Sequence, residues 1–345
     1  MENIQTETIA VKESEISPFR NGLGAVLAFF GFSSKTHRAS KKRAKLVGDI
    51  FTYIILLFGS FLMLFPFWWM VAGSFADTSI QGTGMPILRR MVWWPERSTF
   101  QSELTGISNP FVNYATVFTN AFPSINKELT FWRALANNLI YSIVPVVIGV
   151  ITSASAAFAF AKINWVGRNA VFYFLLAAIM VPGPSIMTTQ FVMYTELGWR
   201  ENGLVLIIPG LFGSIMTAFF IRQFLFGLPT SIIEAAKIDG AGYFRIFCGF
   251  ILPLAFPAIM AQGLLSFMGC WNNYMGSFIM IPRNSLWINL PHAIALLDND
   301  GNGAYANNYA VVIAASVLCV LPVIILFAVF QKPIIQSLML TGSKE

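Results

Sequence analysis

The sequence predicts an all-α integral membrane protein with six transmembrane helices. Its 345 residues are 56% hydrophobic and only 11% charged, against about 25% charged residues in ordinary soluble domains. The charges are unevenly placed, because six long stretches contain none. A helix needs about 20 apolar residues to cross a hydrocarbon core of about 30 Å, where the backbone must satisfy its own hydrogen bonds. The alternation of apolar and polar residues that marks a membrane β-barrel is absent from these stretches.

Each uncharged stretch is long enough to form one transmembrane helix. In chain order they are Ile50–Ala76, Ala134–Ala161, Asn169–Thr195, Asn202–Ile221, Ile246–Pro282 and Ala304–Gln331. The fifth is too long for one crossing, so we expect its membrane helix to begin near Pro257. In the third, Val181-Pro182-Gly183-Pro184 should break or bend the helix, because proline removes a backbone donor and clashes with the preceding turn.

Basic residues predict the orientation of the chain. A cluster of them precedes the first span: Lys35, Arg38, Lys41, Lys42, Arg43 and Lys45. Basic segments beside a membrane helix stay in the cytoplasm, and their position fits contact with membrane lipid rather than nucleic acid. Six crossings then return the C-terminus to the same side. We therefore expect a multi-pass protein of the bacterial plasma (inner) membrane with both termini in the cytoplasm.

Three segments follow from this topology. Residues 1–48 form a cytoplasmic N-terminal segment, partly disordered or lying along the interface. Residues 49–335 form the six-span domain, and residues 336–345 form a cytoplasmic tail.

Several function classes are disfavoured by what the spans lack. No Asp, Glu, Lys, Arg or His lies at the centre of a span, which argues against a proton-driven carrier, because such carriers use intramembrane ionisable groups. The sequence has no GxxxxGK[ST] phosphate loop, so we expect no ATP site, no other cofactor and no enzyme activity. The three cysteines lack the spacing of a metal site. We interpret His37 and His292 as solvated surface residues.

Residues 229–253 interrupt the hydrophobic pattern with the sequence PTSIIEAAKIDGAGYFRIFCGFILP. Ser231 to Glu234 has the form of a capping box, which predicts a helix start. Gly240 supplies the left-handed stop of this helix, and a second helix should run from Tyr243 to Leu252 and end at Pro253. A two-helix loop between two spans favours docking of another protein. The alternative is that Glu234 only caps its own helix.

This stretch resembles the EAA loop of ABC importer permeases. The matching residues at the required spacing are Glu234, Ala235, Ala236, Gly240, Leu252 and Pro253, with Phe250 where isoleucine is usual. Asp239 and Ala241 complete the form EAAxxDGA, which is typical of carbohydrate permeases. In this family the loop seats against an ATP-binding subunit, so the resemblance implies that Glu234, Ala235, Ala236, Asp239, Gly240, Leu252 and Pro253 couple transport to ATP hydrolysis. We call residues 229–253 the coupling loop.

The resemblance extends over residues 45–345 and is to the maltose-type carbohydrate subfamily. Its other motifs are Asn137-Asn138-Leu139, Ala154 to Lys162, Phe330-Gln331-Lys332 and, loosely, Leu340 to Lys344. The chain departs from the family in a long external segment, residues 77–133, rich in Trp and Pro. The implied fold is that of a type I ABC importer permease.

The implied function is import of a sugar or oligosaccharide across the cell membrane. The implied partners are a second homologous permease subunit in a heterodimer, two ATP-binding subunits that hold the ATP and Mg²⁺, and an extracellular or periplasmic solute-binding protein. The alternatives are an importer of a non-sugar solute, such as a polyamine or glycerol phosphate, or a membrane scaffold without transport.

Two further groups are candidates for contact with cargo or receptor. Trp271, Asn272, Asn273 and Tyr274 form a polar and aromatic run within the fifth stretch, and such groups suit a sugar. Similar segments also join helices, so packing is the alternative. The external loop from Leu286 to Gly303 is rich in Asn, Gly and Asp, so we expect a flexible segment. The resemblance implies that it probes the receptor through Asn299, Asp300 and Asn302; the alternative is an ordinary solvated connector.

Overall fold

The structure is a computed structural model that describes residues 37–75, 111–119, 122, 125–200, 202–299 and 309–342. The regular elements in these ranges are all helices, which we number in chain order. They are α1 His37–Gly73, α2 Val112–Thr119, α3 Phe131–Lys162, α4 Arg168–Ile179, α5 Gly183–Glu196, α6 Leu204–Leu211, α7 Ile215–Phe226, α8 Ser231–Ile238, α9 Tyr243–Ile246, a π-helical turn Phe247–Ile251, α10 Leu252–Trp271, α11 Tyr274–Met280, α12 Leu290–Asn299 and α13 Tyr309–Gly342.

The chain forms two compact units, Met1–Phe67 and Trp68–Glu345. In the first, the described residues belong to α1, whose sequence from Ile50 onward is almost wholly apolar. The candidate functional residues that the structure describes lie in the second unit.

The described helices confirm the predicted fold class. Five of them are long and apolar enough to cross a membrane: Gly48–Gly73, Phe131–Lys162, Leu204–Phe226, Tyr243–Trp271 and Ala310–Phe330. A sixth crossing arises if α4 and α5 form one span, broken by a bend of 91°. The bend lies at Met180–Pro182, where the prolines predicted a break. Pro182 adopts an extended conformation just before α5.

Helix α3 is the centre of the second unit and contacts two separate hydrophobic cores. Near its Phe131 end lies a core that includes Tyr141, Val205, Ile288, Leu290 and Val311. Near its Lys162 end lies a second core built from Ala154, Ala157, Ile221, Ile233 and Phe247, among others. The second core joins the membrane helices to the coupling loop, so α3 connects the two regions in which the candidate functional residues lie.

Close packing of α3 against α6 requires glycine on both helices. A Cβ atom added to Gly149 would lie 2.3 Å from the carbonyl oxygen of Gly210, and one on Gly210 would lie 2.5 Å from the Cβ of Pro145. Gly213 ends α6 with φ of 81°, where α6 breaks from α7. Ser153 of α3 accepts the backbone N–H of Ser214 across this break at 2.9 Å, so the exposed backbone donor is satisfied within the protein.

The predicted end of the second coupling-loop helix at Pro253 is wrong. Helix α9, the π-helical turn and α10 continue without interruption from Tyr243 to Trp271, so no separate membrane helix begins near Pro257 either. Pro253 lies in the first turn of α10, directly after the π-helical turn. The extra residue of a π turn displaces the carbonyl that a proline ring would otherwise meet. The proline is therefore accommodated by a local change of helix type.

The prediction that Leu286 to Gly303 forms a flexible loop is also largely wrong. Residues Leu290–Asn299 form helix α12, and Leu290, Ala293 and Leu297 are at most 2% exposed. Their spacing of three and four residues is that of a buried helix face, which the many polar residues nearby obscured. Asp300 and Asn302 lie outside the described residues, as does the side chain of Asn299.

Candidate functional site

The first helix of the coupling loop presents Glu234 to its surroundings. Helix α8 begins after Thr230, whose backbone oxygen accepts the N–H of Glu234 at 3.1 Å. No side-chain cap is formed at this end, so the expected capping box is absent. The Glu234 side chain is exposed. This geometry disfavours the interpretation of Glu234 as a cap of its own helix.

The opposite face of α8 anchors the loop to the membrane helices. Ile233 is 5% exposed and Ala236 is 4% exposed, and both pack in the core at the Lys162 end of α3. Lys162 adds a hydrogen bond from its Nζ to the carbonyl oxygen of Leu228 at 2.7 Å. Ile233 and Ala236 therefore hold the loop against its own chain.

A sharp turn at Gly240 sets the angle between the two loop helices. Gly240 has φ of 77°, as its position in the motif predicts, and the N–H of Ala241 reaches the carbonyl oxygen of Ala236 at 2.9 Å. Lys237 then donates to the hydroxyl of Tyr243 at 2.9 Å and lies over its ring. The turn and this side-chain contact hold α8 and α9 in one geometry.

The outward side of the loop combines acidic and large apolar groups. Ile238 is 87% exposed and Phe244 is 81% exposed, although burying either side chain would gain about 2 kcal/mol. Glu234, Ala235 and Asp239 are also exposed. We call these five residues the docking face. Leu252 and Pro253 lie beyond it, in the continuous helix, where they set the path of the chain.

The second candidate region is the break between α10 and α11. Trp271 is fully buried, and its indole N–H donates to the carbonyl oxygen of Cys319 at 3.0 Å, which favours packing for this residue. Asn138 of α3 donates weakly to the Trp271 carbonyl oxygen at 3.4 Å. Asn272 and Asn273 are exposed at the break, and Tyr274 is half-buried. Asn272 and Asn273 are thus the members of this run that a solute could reach.

Buried polar groups brace this break from the α12 side. Asn273 caps α11 by accepting the N–H of Gly276 at 2.9 Å, and Asn289 donates to the Asn273 carbonyl oxygen at 2.9 Å. Ser277 and Nδ1 of His292 are 3.1 Å apart. The prediction that His292 is a solvated surface residue is therefore wrong, because its side chain is 1% exposed. Burial, aided by the charge of Arg283, lowers the pKa of His292 to about 4.

The structure keeps the candidate groups apart. The coupling loop lies at the Lys162 end of α3, whereas the break at Asn272 and Asn273 lies near Asn138, toward the Phe131 end. The sequence analysis did not identify Asn289 and His292 as residues that support the break. They are three residues apart at the start of a helix, a spacing that predicts contact between them. Among the described residues, no group of histidine, cysteine and acidic side chains could hold a metal ion.

A chain of membrane-crossing helices, with an exposed two-helix loop between two of them, defines a polytopic membrane protein. Residues 149–338 match the family described as binding-protein-dependent transport system inner membrane component. The chain belongs to this family.

Named relatives include sugar-transport permeases. The arabinooligosaccharides transport system permease protein AraQ of Halalkalibacterium halodurans is 30% identical over 254 residues, which cover 72% of this chain and 86% of the relative. The lactose transport system permease protein LacG of Rhizobium radiobacter is 27% identical, over 84% of this chain and 95% of the relative. A crystal structure of a bacterial ABC transporter involved in the import of the acidic polysaccharide alginate has a TM-score of 0.67 at 21% identity, covering 87% of this chain and 99% of that chain. This last likeness shows a shared fold.

Proposed function

We propose that the chain is one of two membrane subunits of an ATP-driven importer that moves a sugar or oligosaccharide into the cell. The relatives' names favour a carbohydrate over a polyamine or glycerol phosphate, since those proteins transport arabinooligosaccharides, lactose, diacetylchitobiose and trehalose or maltose. The chain has the permease role. ATP and Mg²⁺ are held by two partner subunits, and a solute-binding protein delivers the sugar from outside.

The docking face is the observation that carries this proposal. Glu234 forms no side-chain cap on its own helix, and the exposed Ile238 and Phe244 form an apolar surface of the kind that partner proteins cover. The coupling loop is on the same side of the membrane as Lys162, which the distribution of basic residues places in the cytoplasm. Both termini are then cytoplasmic, and closure of the ATPase pair moves α8 against the membrane helices.

The cargo path follows from the same orientation. The α10–α11 break is closer to the outer surface, where Asn272 and Asn273 offer uncharged hydrogen-bonding groups to a sugar. Helix α12 and the residues after it, including Asn299, Asp300 and Asn302, face the solute-binding protein. Neutral polar groups bind a sugar without the desolvation cost of buried charges.

The test is Glu234→Lys in the complex of this chain with its partner permease, ATPase subunits and solute-binding protein. We expect the variant to insert normally but to lose receptor-stimulated ATP hydrolysis and uptake, because a reversed charge at a desolvated contact typically costs several kcal/mol. The matched control is Glu196→Lys, which reverses an exposed charge at the end of α5. Normal stimulation with Lys at position 234 would contradict the docking role.

A further inference from the structure

Two arginines at the Lys162 end of α3 have no acidic partner within the part of the chain that the structure describes. Arg222 of α7 lies over the rings of Phe172 and Phe226, at 3.9 and 4.4 Å, and donates to the carbonyl oxygen of Phe160. Arg168 donates to the carbonyl oxygen of Ile163 and to Oδ1 of Asn164. Among the described residues neither guanidinium contacts a carboxylate, and the two are close enough to repel each other.

A shallow pocket opens beside Arg168. Its volume is about 250 Å³, and it is lined by Asn164, Trp165, Gly167, Arg168, Asn169 and Ala170. At about 30 Å³ per water molecule, it has room for about eight water-sized groups. Amide and indole groups surround the single cationic side chain, so the pocket combines hydrogen-bond donors with positive charge and contains no acidic residue.

The surroundings of the pocket are apolar and aromatic. Val166 is 100% exposed at the tip of the turn between α3 and α4, and Trp165 is 40% exposed. Along α4, Tyr173 is 67% exposed and Phe174 is 74% exposed. Exposed tryptophan and tyrosine beside basic residues, at the end of membrane-crossing helices, are typical of the boundary between hydrocarbon and headgroups.

We propose that this surface binds the phosphate headgroup of an anionic phospholipid in the leaflet on the coupling-loop side. Arg168 and Arg222 provide the charge, Trp165 and Val166 insert among the upper acyl carbons, and the headgroup occupies the pocket at the start of α4. Arg168 attracts an anion into the pocket and Arg222 adds positive charge nearby, and a lipid supplies both the anion and an apolar body. A soluble acidic protein would match the charge but would leave Tyr173 and Phe174 exposed.

Native mass spectrometry of the full-length chain tests the proposal, with phosphatidylglycerol and phosphatidylcholine as competing probes. We expect the wild type to retain phosphatidylglycerol preferentially. A basic residue near an anionic surface contributes about 1 kcal/mol, so Arg168→Gln should lower that preference about fivefold. The double variant with Arg222→Gln should lower it by roughly thirtyfold on the same basis. Arg168→Lys keeps the charge and should retain most of the preference.

The matched control is Arg245→Gln, which removes an exposed charge from the coupling loop on the same side. An equal loss in this control, an unchanged preference in Arg168→Gln, or no preference in the wild type would overturn the proposal. A thermal melt in zwitterionic detergent identifies a variant that fails to fold, and the single Arg168 variants then decide.

A photo-crosslinking residue in place of Val166 gives an independent result in intact membranes. An adduct to phospholipid supports the proposal. An adduct to a protein in place of lipid overturns it and assigns the surface to a protein partner.

Discussion

Replacing Gly240 by valine tests how much the angle between α8 and α9 contributes to coupling with ATP hydrolysis. A Cβ atom at this position would meet nothing within 4 Å, so the substitution causes no clash. The cost arises from φ of 77°, which is unfavourable for residues with a Cβ atom by about 1–2 kcal/mol and is worse for β-branched ones. About 2 kcal/mol corresponds to a roughly thirtyfold shift away from the observed turn.

We expect the coupling loop of the valine variant to stay packed on the core but to lose its native conformation. Ile233 and Ala236 keep α8 on the core, whereas α8 and α9 lose their fixed angle and the docking face loses its shape. Receptor-stimulated ATP hydrolysis in the assembled complex should fall strongly, with little change in the melting temperature of the chain. Gly240→Asn is the matched control, since asparagine tolerates the left-handed region. Normal coupling with valine, or equal damage from asparagine, would refute the reasoning.

Three other predictions concern packing, pH and the external side. Gly149→Leu should prevent stable folding, because its Cβ would lie 2.3 Å from the Gly210 carbonyl oxygen, whereas Gly263→Leu, with nothing within 4 Å, should melt nearly as wild type in detergent. His292 stays neutral in the folded protein but titrates near pH 6.5 in the unfolded chain. Its titration should therefore leave the free energy of unfolding unchanged above pH 6.5. The free energy of unfolding should fall by at most about 1.4 kcal/mol per pH unit as the pH drops toward 4. In thermal melts between pH 7 and 5, His292→Gln should flatten this slope. An unchanged slope in the variant would exclude His292 as its cause. Shortening Asn299–Gly303 should preserve folding and basal ATP hydrolysis but reduce uptake; full uptake would make this segment a simple connector.

The spans and the loop were predictable because their signals are local. A run without charges is sufficient to predict a membrane helix, and Pro182 with Pro184 is sufficient to predict a break in it. Gly240 could be assigned a positive φ from its place after a short helix. Each of these predictions depends on neighbouring residues, and the structure confirms them.

The errors arose where a local change of helix type or packing between distant segments decided the outcome. Pro253 predicted a helix end, but a π-helical turn before it let the helix continue. His292 and Leu290 lie in a segment whose Asn, Asp and Gly residues predicted a flexible loop, yet packing against α3, α11 and α13 buries them. Helix α8 begins after Thr230, one residue earlier than the capping box at Ser231 predicted. Tertiary packing overrode local preference at His292 and Leu290, whereas a local change of helix type did so at Pro253.

The continuous helix from Tyr243 to Trp271 connects two regions that the sequence treats as separate. Its 29 residues span about 43 Å at 1.5 Å per residue. One end carries Phe244 of the docking face, and the other meets Asn138 at the break beside Asn272. Because the arm is so long, a tilt of about 5° at the loop would carry the far end through about 4 Å. If the docking face and the break between α10 and α11 have their proposed roles, a small tilt at the first becomes a larger displacement at the second.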